Sequence, residues 1–273
     1  MSPGAVDLDG LEGWRLYGIT TVDRPERSAH LEAELARTGL PWEVRRSERP
    51  TDPGGFLSSG VRGCFESHRA VLESALHAGV GVAVIVEDDA VIARRLVRRL
   101  GQIAAELDGH DWTMLYIGYV GDVSPICDDR LTLVTGHVAV AGGWEVLGAH
   151  CLAFRREVIP QVLENMDARL VPGGHRIPVD GVYNEYRRDS HESTLICVPN
   201  LAHQGPSPSG ITHVGSWKNR LLRHALVRRV VEALKREAWN LEARLPPTLV
   251  VSVWNRRAAR RRSRTVLETS TDG

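Results

Sequence analysis

The chain has 273 residues with 34 basic and 34 acidic side chains and 42% hydrophobic content, the composition of an ordinary globular protein rather than a disordered or membrane-embedded one. Its length suits one large α/β domain with an appendage. The balanced charge is unevenly spread: residues 1–216 hold 20 basic against 29 acidic side chains, whereas residues 217–264 hold 14 against 3, so an acidic body carries a basic tail suited to an anionic partner.

Met1 to Trp14 carries Asp7, Asp9 and Glu12 before any apolar run, the opposite of a signal peptide's basic start. The apolar stretch Val80–Val86 falls far short of the roughly 18 residues that span a bilayer. The expectation is a cytoplasmic protein with at most a peripheral contact at the inner face of a membrane. Cys64, Cys127, Cys151 and Cys197 contain no C-x-x-C pair, which argues against a thiolate zinc site or a redox dithiol and for buried free thiols.

Along the chain, Trp14–Ile19 reads as a first strand and Pro25–Thr38 as a helix stopped by Gly39. A loop rich in Pro, Gly and Ser follows at Arg49–Gly60, then a helix at Glu66–Ala78 with Val71, Leu72, Ala75 and Leu76 on one stripe. Ala83–Val86 is the wholly apolar run of a strand buried on both faces of a parallel sheet. A charged helix at Arg94–Leu107, a strand at Thr113–Ile117, β-ribbon at Leu131–Ala141 and His150–Phe154, and a helix at Glu157–Met166 complete an α/β pattern with a largely parallel sheet. Asn219–Leu245 is a basic amphipathic helix broken by Pro246-Pro247. The predicted organisation is an extension at 1–13, a catalytic domain at 14–216, the basic helix at 217–247 and a flexible basic tail at 248–273.

Three segments carry chemistry. Glu87-Asp88-Asp89 follows the buried strand at the carboxyl edge of the sheet, where open α/β sheets bind ligands. Adjacent carboxylates suit a hard divalent cation, Mn²⁺ or Mg²⁺, that keeps positions open for phosphate oxygens. Gly63-Cys64-Phe65-Glu66-Ser67-His68 places Ser67 and His68 at the predicted start of a helix, where free N–H groups favour an anionic or polar ligand, although a helix capped by Ser67 or Ser58 and a packed His68 fit the same pattern. Pro178-Val179-Asp180 sets one carboxylate before a helical stretch, as either a functional group or an N-cap.

In order, G-C-F-E-S-H at 63–68, V-I-V-E-D-D at 84–89, G-A-H-C-L-A-F at 148–154, P-V-D at 178–180 and P-N-L-A-H-Q at 199–204 resemble glycosyltransferase family 25, the lipopolysaccharide-type and collagen-galactosyltransferase-like enzymes, across about residues 14–213. The resemblance implies a GT-A-like fold, a nucleotide-sugar donor such as a UDP-sugar, a divalent cation, inversion at the anomeric carbon and a glycan or lipid-linked acceptor. It places Glu87, Asp88, Ser67 and His68 at the nucleotide and Asp88 and Asp89 at the metal. Asp180 becomes the general base or a second metal contact. Asp23, Arg24 and Arg27 match the family's first-strand run, but Thr20 stands where the family carries Asn.

Physical reasoning beside the resemblance assigns Asp180 to the acceptor hydroxyl's proton and His203 to completing a metal shell, with a structural histidine as its alternative. The competing reading is a metal-dependent phosphoryl-transfer or phosphate-hydrolysing enzyme. The sequence has no G-x-x-x-x-G-K-[ST] segment, which disfavours nucleoside triphosphatases. The acidic body makes nucleic acid an unfavoured partner. The tail, 217–264, is expected to meet an anionic membrane if it does not pack on the domain.

Overall fold

The computed structural model describes residues 10–120, 132–140, 146–190, 193–205 and 225–257. One mixed sheet runs through it. β1 (Trp14–Thr21) pairs in parallel with both β2 (Trp42–Ser47) and β3 (Val82–Glu87). β8 (Leu147–Arg155) runs antiparallel between β3 and β5 (Met114–Val120), and β9 (Thr194–Cys197) returns parallel to β5. The path is β2-β1-β3-β8-β5-β9-β7-β6, with β6 (Thr132–Leu133) and β7 (Val138–Val140) forming a small antiparallel extension. β4 (Ala90–Ile92) and β10 (Ala202–Gln204) pair antiparallel beside β5. The expected α/β class with a mostly parallel sheet is observed. The segment read as β-ribbon around His150–Phe154 is a central strand, apolar from Cys151 to Phe154 because both sheet faces are covered.

Alternation along each strand feeds two cores. Tyr17, Ile19, Ile85, Tyr116, Leu152 and Phe154 pack under α2 (Ser59–Ala78), α4 (Ile159–Asp167) and α5 (Val179–Ser190). Leu16, Val84, Val86, Leu115 and Cys151 pack under α1 (Pro25–Ala36) and α3 (Arg94–Leu107). A side chain at Gly18 would place its Cβ 2.7 Å from Leu31 Cδ2, so this glycine lets α1 lie directly on β1. Cys64, Cys151 and Cys197 are free thiols, two of them buried.

α2 corrects the sequence reading. It begins seven residues before the expected Glu66, with Ser58 as its N-cap accepting from the Val61 N–H at 3.2 Å, and ends at Gly79 in the left-handed region (φ 69°). Ser67 and His68 therefore sit in mid-helix and have no free helix N-terminus to offer. Gly63, expected in a turn, is helical, and a Cβ there would meet Pro50 Cδ at 3.0 Å.

α6 (Ala225–Glu242) matches part of the predicted helix; residues 219–224 lie outside the described ones. Pro246 interrupts it as expected, but residues 247–257 then form a further helix where a flexible tail was predicted. Val250 is buried in the core, and Trp254 packs edge-on against Tyr119. No described helix is long and apolar enough to cross a membrane.

Candidate active site

β1, β2 and β3 are parallel neighbours, so their carboxyl ends open on one side of the sheet, and a cleft of about 120 Å³ lies there. The β1 end contributes Thr20, Arg24 and Arg27. Arg49 and Pro50 come from the β2 end, Glu87, Asp88 and Asp89 from the β3 end, and Gln204 from β10. Gly60, Gly63, Cys64 and Ser67 on α2 form a wall. The close fit of Gly63 against Pro50 lets that wall approach the β2 loop. Arg24, Arg27 and Arg49 thus share the cleft's lining with Glu87, Asp88 and Asp89. Burial and the charges of Arg27 and Arg49 lower the proton affinity of Arg24, which still keeps its charge at any physiological pH.

Asp88 is already engaged. Thr20 Oγ1 donates to Asp88 Oδ2 at 2.7 Å, and Arg27 Nη1 donates to Oδ1 at 2.7 Å. Thr20 thus fixes the second carboxylate of the acidic triplet. The Arg27–Asp88 pair is mostly shielded from solvent, and both carboxylate oxygens have protein donors.

Asp89 differs. Its backbone carbonyl accepts from Gly205 N–H at 2.7 Å, which pins the β3–β4 turn, and Gln204 Nε2 donates to Oδ2 at 3.1 Å. Oδ1 is buried without a hydrogen-bond partner. Burial, then the neighbouring charge of Glu87, pushes the Asp89 carboxyl up to about 7. A buried carboxylate with an orphaned oxygen in a polar cleft is a cation-seeking arrangement.

Glu87 is held by α2. His68 Nε2 lies 3.2 Å from Glu87 Oε1, Cys64 Sγ lies 3.5 Å from the same oxygen, and His68 Nδ1 lies 3.0 Å from the Tyr183 hydroxyl. Burial keeps the Tyr183 phenol protonated against Nδ1, while Nε2 of the same ring faces Glu87. Burial alone would raise Glu87; the His68 hydrogen bond and its charge outweigh this and hold the carboxylate below its ordinary range. Burial, then Glu87, pushes the Cys64 thiol well up, with Asp180 and Asp89 adding to the effect. The ligating atoms of Cys64, His68 and Glu87 lie within 4.8 Å of one another, a second grouping able to hold a metal ion.

No family model matches the sequence, and no curated protein matches it. Among solved structures the chain is similar to a glycosyltransferase involved in the glycosylation of the major capsid of PBCV-1, at 8% identity over 68% of this chain and 94% of that one, with a TM-score of 0.36. It is also similar to mannose-1-phosphate geranyltransferase from Thermus thermophilus, at 14% identity over 67% and 73% of the two chains, with a TM-score of 0.39. Likenesses this distant assign no activity, and the functional reading rests on the cleft.

The cleft brings together Arg24, Arg27, Ser67, Glu87, Asp88 and Asp89, with His68 directly behind Glu87. Asp23 stands outside, exposed and 3.5 Å from Arg49; the neighbouring Thr21 hydroxyl and the charge of Arg49 hold its carboxyl below the ordinary range. Asp180 lies within the first turn of α5, its Oδ1 accepting from Gly181 N–H at 2.9 Å and its Oδ2 from Gly148 N–H at 3.3 Å. Its charge raises the Cys64 thiol, but Asp180 is not among the residues that line the cleft. His203 points elsewhere. Neighbours on a strand face opposite ways, so Gln204 reaches Asp89 while the His203 ring stacks on Trp239 of α6, centroids 4.6 Å apart and planes 1° off parallel. Arg49, Pro50, Cys64 and Tyr183 were not singled out by sequence.

Proposed function

We propose that this chain transfers a sugar from a nucleotide diphosphate donor, of which a UDP-sugar is the leading candidate, to a hydroxyl on a glycan or lipid-linked acceptor, with a divalent cation and inversion at the anomeric carbon. The observation that carries the reading is the charge content of the cleft: Arg24, Arg27 and Arg49 line it together with Glu87, Asp88 and Asp89 at the carboxyl edge of three parallel strands. Guanidinium groups match diphosphate oxygens, and a carboxylate floor takes the cation that such a diphosphate carries.

The residues present fit a hard cation. Asp89 Oδ1 is buried and unpartnered and Glu87 is ionised beside it, whereas Asp88 has both oxygens committed to Thr20 and Arg27. Asp89 is therefore the direct ligand in this reading, with Glu87 next to it, and Asp88 positions Arg27. When bound, the cation neutralises charge that develops on the leaving diphosphate. Gln204 orients Asp89, while Tyr183 and His68 orient Glu87. Arg24 and Arg49 bind the phosphates, and Asp180 takes the proton of the acceptor hydroxyl as the new bond forms. His203 has no place in this scheme.

The test is turnover of a panel of nucleotide sugars with Mn²⁺ or Mg²⁺, read as release of nucleoside diphosphate. Phosphomonoester or triphosphate hydrolysis in place of that release would support phosphoryl chemistry in the same cleft.

A further inference from the structure

α6 packs on the domain with its less apolar side. Trp239 stacks on His203, Arg236 Nη2 donates to Glu34 Oε1 at 3.0 Å, Asn240 Oδ1 accepts from Arg94 N–H at 3.3 Å, and Ala243 is buried. These four positions lie on one face of the helix, and Leu234 and Leu241 lie on the other. Leu234 is 68% exposed and Leu241 62%; Leu245 and Leu249, four residues apart in turn, continue the apolar stretch into the next helix at 38% and 45%. Residues seven apart fall nearly two full helical turns from each other and so share a side. An amphipathic helix that served only to cover the domain would bury its leucines and expose its arginines. Here Leu234 and Leu241 face outward with exposed Glu237 between them, Arg244, Arg256 and Arg257 are exposed further along, and Lys235 lies over the Trp239 ring.

We infer that this outward face docks on an anionic lipid bilayer. The segment 217–264 carries 14 basic against 3 acidic side chains, which matches a negatively charged leaflet and no neutral surface. Leucines at this spacing insert at the boundary between headgroups and acyl chains, while the flanking cations stay at the phosphates. A nucleic acid would use the same cations but gains nothing from four exposed leucines, and the 29 acidic side chains of residues 1–216 repel it. No described residue of α6 lines the carboxylate cleft, so the inference stands apart from the chemistry proposed there. The helix therefore packs on the domain and also presents a lipid-facing stripe.

The test is flotation of the intact chain with vesicles of phosphatidylcholine and phosphatidylglycerol, beside vesicles of phosphatidylcholine alone. Binding is expected on the anionic vesicles only, and it is lost at about 0.5 M salt, where charges are screened beyond a few ångströms. Leu234→Ser with Leu241→Ser, and separately Arg256→Glu with Arg257→Glu, should each weaken partitioning about tenfold or more, with unchanged thermal melting because all four side chains are on the surface. Leu245→Ser alone is a milder third variant, should the leucine pair melt early. No flotation of the folded wild-type chain, or flotation unaffected by the leucine substitutions, overturns the inference. Salt-sensitive retention on duplex DNA in place of vesicle binding would assign the surface to nucleic acid instead.

Discussion

Gln204 donates to one oxygen of Asp89 at 3.1 Å across 115 positions of sequence, and the other oxygen of Asp89 is buried with no hydrogen-bond partner. An amide from β10 thus holds the third carboxylate of the acidic triplet with its free oxygen reserved. Asp89→Asn should lower turnover about 10²-fold or more, the scale of a lost transition-state electrostatic contact. Near-wild-type rates in that variant, or full wild-type activity in excess EDTA, would remove the cation from the account.

The same burial makes Asp89 a stability liability without a cation. Its carboxyl titrates near 7 in the fold against an ordinary 3.8, so the unfolded chain releases this proton at lower pH than the native one. Stability from the neutral carboxyl is complete below about pH 4 and is lost as pH rises through 7, by an amount of a few kcal/mol. Asp89→Asn should therefore raise the melting temperature of the metal-free protein at pH 8 and leave it nearly unchanged at pH 4. Equal stabilisation at both pH values would mean that Asp89 is not held protonated by its surroundings.

Asp180 separates from the donor side in kinetics. Asp180→Asn should cut kcat while donor and Mn²⁺ affinities stay close to wild type, because ground-state donor binding does not need a general base. If both affinities collapse, Asp180 belongs to the cation's surroundings. Unchanged kcat would exclude it from either role.

His203 packs against Trp239. His203→Ala should leave Mn²⁺ affinity unchanged and destabilise the fold by about 1 kcal/mol, the typical worth of an aromatic pair. Burial pushes the imidazole down to about 4 against an ordinary 6.5, so its contribution is complete above pH 6.5 and is lost as pH falls through 4. The wild-type advantage over the alanine variant should therefore shrink in acid. A loss of Mn²⁺ affinity in His203→Ala would restore the ligand assignment.

Thr20 and Arg27 act through Asp88. Thr20→Val and Arg27→Ala should each weaken binding of nucleoside diphosphate, Arg27→Ala more strongly because it removes a cation and leaves a largely shielded carboxylate without its charge partner. Calorimetric titration with UDP and Mn²⁺ measures both; wild-type affinity in Arg27→Ala would detach this side of the cleft from the donor.

Strands with strong burial were legible in the sequence. Ala83–Val86 announces β3 because both faces of the strand are covered, and the carboxylates after it mark the sheet edge. β2 escaped notice because it is an edge strand with Trp42 and its charged neighbours largely exposed, so neither an apolar run nor alternation marks it, and Arg49 at its end went unnoticed too. The start of α2 was hidden by Ser59, Gly60 and Gly63, which read as loop residues; Ser58 capping and the close fit against Pro50 decide for helix there. The His203 assignment failed to reach the cleft for a simple reason of period: its neighbour Gln204 takes the side of the strand that faces Asp89. The Tyr183–His68–Glu87 chain joins residues 115 and 19 positions apart, which local pattern does not reveal.

The most direct measurement is nucleoside diphosphate release from a panel of nucleotide sugars by the full chain, with Mn²⁺, with EDTA, and with Asp89→Asn in parallel. The account predicts that at least one donor is turned over, at least slowly with water as acceptor, that EDTA abolishes the release, and that Asp89→Asn reduces it about 10²-fold. Release that persists in EDTA, or no release from any nucleotide sugar by folded protein that binds Mn²⁺, would contradict it.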